Sequence, residues 1–395
     1  MRLLPNLVLF CATLCAAGRP LLVISIDGMD HRYLKDRDQL GLKIPNLRRL
    51  ISHGQWADGV VGVVPTVTFP SHTTMVTGVR PDRHGILNNN RPQADGGERY
   101  FSASHLKVTT LWDAARRAGL KTAAVHWPVT VDARIDFNVP EHFKKRLGDG
   151  MDFASTAEKT TPGLMKRILA TYPSIGREWL NDYGRALATI HILRNEKPDF
   201  VLLHLIDHDN EAHENGPFTQ QANASLEYID ELLGRILAST PKNMVVAIVS
   251  DHGFERADTV INVTAMLRKA GIAGKVQAGS TMLTTADETV AAYLRKANIG
   301  REIPAEEWKR FLPNRPVPLA AFEPNPHGQF ASAEDAPESV ARMHGDHGYW
   351  PTRAGFRSSF LLSGPGITQQ NIPEIDMLTI AGRFAEILGF PFGKE

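Results

Sequence analysis

Cysteine is nearly absent from this chain, and so is any excess of charge of one sign. The two cysteines, Cys11 and Cys15, both lie within the first seventeen residues, so the rest of the chain has neither a disulfide nor a thiolate metal ligand. Lys and Arg number 44 against 43 Asp and Glu, which leaves a formal charge of +1. This balance gives no electrostatic footprint for a nucleic acid or an anionic membrane surface.

The N-terminal segment MRLLPNLVLFCATLCAA, residues 1–17, has the pattern of a secretory signal peptide. It carries an early Arg2, an apolar run and small residues at its end, and we expect cleavage after Ala17. The run is shorter than the roughly 20 residues that span a bilayer, and Pro5 interrupts it. The sequence therefore predicts a periplasmic or secreted protein with no stable membrane span after cleavage.

Apolar β-rich runs alternate with amphipathic stretches along the chain, which is typical of an α/β fold with helices on both faces of a central sheet. The predicted strands are Leu21–Ile26, Lys121–His126, Phe200–Ile206, Met244–Ser250 and Ser359–Ser363, and the predicted helices are Pro45–His53, Thr109–Ala118, Pro162–Arg194, Thr219–Ser239 and Ile375–Leu388. The unbroken apolar strands indicate mostly parallel pairing. Residues 255–342 are richer in proline and predict a smaller inserted cap, with helices at Asp287–Ala297 and Pro304–Phe311. The predicted catalytic core is then 18–254 with 343–395.

Acidic and histidine side chains cluster in three distant motifs: Asp209-x3-His213, Asp251-His252 and His347 in GDHGYW. Asp27 adds a fourth donor at the end of a strand. Three of the acids follow predicted strands, so we expect them to meet at one edge of the sheet, where ligands bind in folds of this kind. Carboxylate oxygens mixed with imidazole nitrogens suit a pair of Zn²⁺ ions, and paired metals indicate transfer of a phosphoryl-type group.

Taken singly, each motif also fits an ordinary structural role. A lone Asp after a strand can cap a turn, Asp251-His252 can form a polar turn, His347 can be a surface residue, and Asp209 with His213 can be an exposed helical pair. The combined pattern, with Thr68 as a hydroxyl nucleophile that a metal could acidify, makes those separate explanations insufficient together. The residues Ser71–Thr77 after Thr68 are predicted to open a helix whose N-terminus faces a phosphate.

The motifs ISIDG, TFPSHTTMVTG, RPDRHGILNNN, SDHG and GDHGYW resemble the alkaline phosphatase superfamily, and most closely its nucleotide pyrophosphatase/phosphodiesterase branch. The resemblance covers nearly the whole chain after residue 17 and implies an alkaline-phosphatase-like sandwich. It also implies that Asp209, His213 and His347 bind one zinc ion, and that Asp27, Asp251 and His252 bind the other.

The same resemblance implies how the reaction proceeds. Thr68 would attack phosphorus while coordinated to the second ion, and the resulting phospho-threonine would then be hydrolysed. Asn89, twenty-one residues after Thr68, falls where the family has an Asn that binds a non-bridging phosphate oxygen. The backbone N–H of Phe69 is a second donor for that oxygen.

The substrate is the least determined feature. Two Zn²⁺, three aspartates and a Thr68 alkoxide have a formal charge of about zero, and no Arg lies within ten residues of Thr68, which together favour a singly charged diester. Phe69 stands where nucleotide-cleaving relatives stack a base, but Ser71 replaces their usual Asn. We therefore predict hydrolysis of a small nucleotide-like diester or pyrophosphate.

Three alternatives remain open or disfavoured. A phosphomonoesterase or phosphonate hydrolase could use the same metals. A non-catalytic exported metal-binding protein is another possibility, but such a protein would have no need for Thr68 as a nucleophile. A sulfatase is disfavoured because the chain after residue 17 has no cysteine to become the modified nucleophile of those enzymes. The sequence carries no signal for the oligomeric state.

Overall fold

The computed structural model describes residues 18–147, 150–176, 179–332 and 339–393. The predicted signal peptide lies outside the described residues. The strands are β1 Leu21–Ile26, β2 Gly54–Ala57, β3 Val60–Val61, β4 Thr122–Val125, β5 Phe137–Val139, β6 Arg146–Leu147, β7 Gly150–Asp152, β8 Trp179–Leu180, β9 Phe200–Leu205, β10 Val245–Val249, β11 Glu255–Asn262, β12 Gln277–Ala278, β13 Leu283–Thr285, β14 Gly300–Glu302, β15 Ala320–Pro324, β16 Gly328–Ala331, β17 Ser339–Asp346, β18 Phe360–Ser363, β19 Gln370–Ile372 and β20 Ile375–Asp376.

The helices vary widely in length, and none within the described ranges has the length and apolarity to cross a lipid bilayer. They are α1 Arg32–Lys35, α2 Pro45–Ser52, α3 Thr68–Thr77, α4 Pro81–His84, α5 Leu111–Arg117, α6 Phe153–Lys159, α7 Leu164–Thr171, α8 Asp182–His191, α9 Asp207–Asn215, α10 Gln220–Leu237, α11 Val263–Lys269, α12 Glu288–Lys296, α13 Ala305–Phe311 and α14 Ile380–Leu388.

The central sheet has eight strands in the order β19-β2-β18-β10-β1-β9-β4-β5. Five of its seven neighbouring pairs are parallel, and only β18 runs antiparallel, to β10 and to β2. The predicted mostly parallel α/β sheet is therefore confirmed. All six residues of β1 are buried, which explains why the strand is a continuous apolar run and not an alternating one.

A hydrophobic core covers each face of this sheet. Alternate residues of β1 divide between the two cores, with Leu22 and Ile24 in one and Leu21 and Val23 in the other. The first core includes apolar residues of α2, α7, α8 and α10, and the second includes those of α3, α5 and α14. Full burial of a Leu or Ile side chain contributes roughly 1.5 to 3 kcal/mol, so these two layers hold the sheet between helices.

Two predicted helices differ from the structure. The segment 162–194 is not one helix, because Pro173 lacks a backbone N–H, and the chain there forms α7, a short turn, the strand β8 and then α8. The Asn181 side chain accepts a hydrogen bond from the Gly184 N–H and so caps a new helix. At the C-terminus, Ile375 and Asp376 pair with β3, and the helix begins only at Ile380.

The predicted cap region contains sheets of its own. β11 leaves the core directly after Asp251-His252, and β17 returns to it directly before His347; the two pair antiparallel from Glu255 opposite Asp346. A separate sheet has the order β12-β13-β15-β14 and packs with α11 and α12 around its own apolar cluster. β17 crosses the predicted edge at residue 342. The division into a core and a cap stays a prediction.

Candidate metal and active site

The ends of three parallel strands bring three of the acids to one edge of the sheet. Leu21 lies opposite both Phe200 and Val245, so β1, β9 and β10 end nearly level. Asp27 follows β1 directly, and its N–H donates to the Leu205 carbonyl at the end of β9 (2.9 Å). Asp251 follows β10 by two residues, and Asp209 lies in the first turn of α9 after β9. The expected convergence of the acids is thus present.

Gly28, which follows Asp27, allows Asp27 and Asp251 to lie close together. Gly28 has a φ of 68°, and its N–H donates to Asp251 Oδ1 (3.1 Å). An added Cβ at this position would lie 2.6 Å from the Phe254 ring. The backbone of the ISIDG motif therefore holds two of the acids in a fixed relation that a side chain would disturb.

The acids and histidines form two adjoining groups. Asp209, His213 and His347 make one group, and Asp27, Asp209 and His252 make the other, with ligand atoms in each group within 4.8 Å of one another. Asp251 Oδ2 lies 3.1 Å from His252 Nε2, so it joins the second group through that nitrogen. Asp209 reaches both groups, because its Oδ2 lies 3.6 Å from His213 Nε2 and its Oδ1 lies 4.0 Å from His252 Nε2.

The histidines present the same ring nitrogen to the acids. Nδ1 contacts a backbone carbonyl in each case: Gly345 for His213 (3.0 Å), Gly253 for His252 (3.2 Å) and Thr66 for His347 (3.2 Å). A carbonyl only accepts hydrogen bonds, so Nδ1 must carry the proton when the ring is neutral. Nε2 then has a free lone pair toward the carboxylates, which is the tautomer that a metal ligand needs.

Several buried polar atoms of the site have no hydrogen-bond partner among the described residues. They are Asp27 Oδ1, Asp209 Oδ1, Asp251 Oδ2 and His252 Nε2. Burial raises the pKa of Asp27, and the carboxylates of Asp251 and Asp209 raise it further. Burial alone would lower the pKa of His252, but the three acids, with Asp251 first, raise it to about 9. Unpartnered, mutually repelling donors of this kind fit divalent cations, which replace the protons.

Thr68 lies beside these groups at the start of α3. Val67 precedes it in extended conformation, and Thr68 itself is 7% exposed in the first turn of the helix. His72 fixes this end of the helix, because one ring nitrogen contacts the Thr68 carbonyl (2.8 Å) and the other contacts Ser25 Oγ on β1 (2.8 Å). The helix begins three residues earlier than the predicted Ser71, so its N-terminal dipole acts at Thr68 itself.

Asn89 and the Phe69 backbone meet next to Thr68. The Phe69 N–H donates to Asn89 Oδ1 (2.8 Å), which orients the Asn89 amide so that its NH₂ is available for another acceptor. The ring of Phe69 is fully buried against Ile86, Tyr100 and Val129. Stacking of a base on Phe69 stays a prediction, and it would require the residues that cover the ring to move.

A second layer of contacts supports Asp27. His204 Nε2 lies 2.9 Å from Asp27 Oδ2, while its Nδ1 lies 3.2 Å from the His126 carbonyl and 3.6 Å from Glu141 Oε2. Burial would lower the pKa of His204, but hydrogen bonds to Asp27 and Glu141 raise it to about 10. These contacts make His204 a hydrogen-bonding neighbour of Asp27. Glu141 has no sequence signal of this role.

Two other histidines near the motifs belong to neither candidate ligand group. His84 contacts Thr74 Oγ1 (3.2 Å), and His208 packs edge-on against the Tyr33 ring at 4.8 Å. A cleft of about 170 Å³ is lined by Asp27, Thr68, Asn89, Asp209, His213 and His347. Arg99 and Arg146 also line it. Neither arginine lies near Thr68 in the sequence, and each reaches the cleft only through the fold, so spacing alone did not predict them.

Comparison with known proteins shows the family of this chain. The family model described as type I phosphodiesterase / nucleotide pyrophosphatase matches residues 21–350. The chain belongs to this family. It is 27% identical over 259 residues to venom phosphodiesterase of Naja atra, covering 62% of this chain and 28% of that protein. It is 26% identical over 257 residues to human ectonucleotide pyrophosphatase/phosphodiesterase family member 1, covering 61% and 24%. The match thus spans about a quarter of the length of these relatives.

Solved structures show the same fold. Mouse ectonucleotide pyrophosphatase / phosphodiesterase 5, as an inactive variant in complex with AMP, has a TM-score of 0.67 at 17% identity, over 95% of this chain and 97% of that one. The human counterpart has a TM-score of 0.65 at 18% identity, over 95% and 96%. The alkaline-phosphatase-like α/β architecture predicted from the sequence is confirmed.

Proposed function

We propose that this chain is a two-zinc hydrolase that cleaves phosphodiester or pyrophosphate bonds of small nucleotide-like substrates through Thr68. The observation that carries the proposal is the convergence of three histidine Nε2 atoms and the site carboxylates beside a hydroxyl at a helix N-terminus. Family membership and the AMP bound to the mouse relative support the nucleotide-like substrate class.

The donors divide between two ions. Asp209, His213 and His347 would hold one Zn²⁺, and Asp27, Asp251 and His252 the other. When bound, the ions act as Lewis acids that lower the pKa of a nearby hydroxyl and offset the negative charge of the phosphoryl group. Imidazole and carboxylate donors suit zinc, and the proton on each Nδ1 fits this assignment.

Thr68 performs the displacement in this proposal. Its Oγ loses a proton and forms a bond to phosphorus, while the bond from phosphorus to the leaving oxygen breaks and that oxygen takes up a proton. The N-terminus of α3 favours the negative charge at this point. The Asn89 NH₂ would bind a non-bridging phosphate oxygen, while the Phe69 N–H, which the sequence suggested as a second donor, instead donates to Asn89 Oδ1 and so orients that amide. Water then hydrolyses the phospho-threonine and restores the hydroxyl.

The test compares wild type with Thr68→Ala after zinc loading. We expect the variant to keep two zinc ions per chain by elemental analysis but to lose turnover of an aryl phosphodiester by at least about a thousandfold, since the nucleophile is gone. Thr68→Ser, which keeps a hydroxyl, is the matched control and should retain measurable turnover. Undiminished turnover in Thr68→Ala would end the proposed mechanism.

A phosphomonoesterase or phosphonate hydrolase is the second candidate, and Arg99 and Arg146 in the cleft favour it more than the sequence did. Comparing kcat/KM for an aryl diester, monoester and phosphonate separates the two. A higher kcat/KM for the monoester would overturn the diester assignment. Two bound zinc ions without hydrolysis of any ester would instead support a non-catalytic metal-binding protein.

Export is also part of the proposal, based on the signal-like composition of residues 1–17 and on the similarity to a venom enzyme. Mass spectrometry of the protein recovered outside the cytoplasm should give a chain that begins at Gly18. A chain that retains Met1 in that fraction would contradict cleavage.

A further inference from the structure

Arg99 fills the space between two aromatic rings at the edge of the candidate active site. Its guanidinium carbon lies 4.8 Å from the centre of the Phe69 ring and 5.4 Å from the centre of the Phe143 ring. The same side chain lines the cleft together with Thr68 and Asn89. A flat base cannot enter between these rings while the guanidinium is there, so the cleft offers a cation where a nucleotide site would offer a stacking surface.

Arg99 has no acid in direct contact among the described residues, although Glu141 lies close enough to interact with its charge. Within the part of the chain that the structure describes, no carboxylate oxygen lies within 4 Å of its guanidinium, and its buried Nε has no hydrogen-bond partner. Cation–π contacts with the two rings offset part of the cost of burial, but they do not satisfy the N–H donors. Glu141 also lines the cleft and faces His204 at 3.6 Å. Burial would raise the pKa of this carboxyl, but its hydrogen bond with His204 and then the charge of Arg99 lower it, so Arg99 acts on Glu141 without forming an ion pair with it.

The backbone fixes Arg99 relative to the phosphate-binding groups. Arg99 pairs with Asn90 in an antiparallel bridge, and the Tyr100 N–H donates to the Asn89 carbonyl (3.1 Å). Asn89 in turn accepts from the Phe69 N–H. The guanidinium and the Asn89 amide are therefore carried by one hydrogen-bonded loop, and a planar guanidinium with free N–H donors is suited to bind an anion in bidentate fashion.

We infer that Arg99 is a specificity-determining residue that binds a second anionic group of the substrate, a carboxylate or a phosphate close to the scissile phosphorus. The inference rests on the proposed function and narrows its substrate class to small, doubly anionic phosphoryl compounds. The size of the cleft agrees, since about 170 Å³ is well below the roughly 300 to 1,000 Å³ typical of pockets for larger organic ligands.

Two diesters that differ only in the second charge test this inference. They are 4-nitrophenyl methyl phosphate and 4-nitrophenyl carboxymethyl phosphate, which share the leaving group and the reaction. For the zinc-loaded wild type we expect kcat/KM to be on the order of tenfold to a hundredfold higher for the carboxymethyl compound, as for a hydrogen bond between charged groups. Arg99→Met should bring the ratio close to one, and Arg99→Lys, which keeps the charge but not the fork, should give an intermediate ratio.

Arg117→Met is the matched control, because it makes the same substitution at an exposed arginine on α5. Its kcat/KM ratio for the two diesters should equal that of wild type. A wild-type ratio near one, or a ratio unchanged in Arg99→Met, would overturn the inference while leaving hydrolysis by Thr68 intact. A binding measurement separates a failure of the Arg99 inference from a failure of the proposed hydrolysis. Calorimetry with the zinc-loaded Thr68→Ala protein should show at least about tenfold tighter binding of the carboxymethyl compound, lost when Arg99→Met is added. Equal affinities would contradict the role of Arg99 even if no ester is hydrolysed.

Discussion

His204 offers the sharpest test of the proposed second zinc site. It is buried at the end of β9, where its Nε2 lies 2.9 Å from Asp27 Oδ2. In His204→Leu this carboxylate oxygen loses its partner, while the Asp27 Oδ1 that faces His252 at 3.3 Å stays in place. The change therefore removes a support of the metal ligand without removing a ligand.

The expected magnitude follows from that one contact. A hydrogen bond to a charged group contributes about 1.5 to 3 kcal/mol, and each 1.4 kcal/mol is a factor of about ten in affinity. We therefore expect zinc affinity at the site of Asp27 to fall by about 10- to 100-fold, which is the usual effect of losing a residue that orients a metal ligand. The site of His213 and His347 makes no contact with His204 and should keep its affinity.

Chelator competition measures both sites in one titration. The expected curve for His204→Leu has one zinc ion at wild-type affinity and one weakened ion. His84→Leu is the control, because His84 is also buried and hydrogen-bonded but contacts Thr74 and not the acids. Wild-type affinity for both ions in His204→Leu, or equal weakening of both sites, would show that His204 does not support the site of Asp27.

Two further predictions concern the phosphate contact and the pH dependence. Asn89→Ala should lower kcat for diesters by about a hundredfold, because it removes a donor to the non-bridging oxygen, and steady-state kinetics showing an unchanged kcat would exclude this role. In the metal-free protein the pKa values of His252 and His204 are raised to about 9 and about 10, above their unfolded value near 6.5. Their stabilising contribution is thus complete below pH 6.5 and is lost as the pH rises through 9 to 10. Urea unfolding of the chelator-treated protein should show this loss of stability between pH 6.5 and 10. Over the same range the stability added by zinc should grow, because zinc binds the deprotonated ligands. A free energy of unfolding that does not change with pH would contradict the linkage.

The buried strands were predictable because burial on both faces leaves a simple trace in the sequence. β1 and β10 are short continuous apolar runs, and the acids that follow them converge because parallel strands end at the same edge. The edge strands β19 and β5 were missed, since three residues carry little periodic signal before their partner is known. The break at Pro173 could have been read from the sequence, because proline ends a helix.

The residues of the site also differ in how well the sequence predicts them. The residues proposed to bind metal stand in recognisable motifs that lie next to strands or helices of the core. Arg99 and Glu141 belong to no motif and reach the cleft through packing of distant loops. The charge of the cleft therefore depends on tertiary contacts that sequence spacing does not encode, and so does the choice between a singly and a doubly charged substrate.

Rapid-quench mass spectrometry would detect the proposed phospho-threonine itself. The zinc-loaded wild type is mixed with an aryl phosphodiester, quenched in acid within a single turnover and digested. We expect a phosphoryl adduct on the peptide that contains Thr68, which forms and decays at rates consistent with kcat and is absent from Thr68→Ala. Steady hydrolysis with no adduct at any quench time, or an adduct on another residue, would contradict the proposed intermediate.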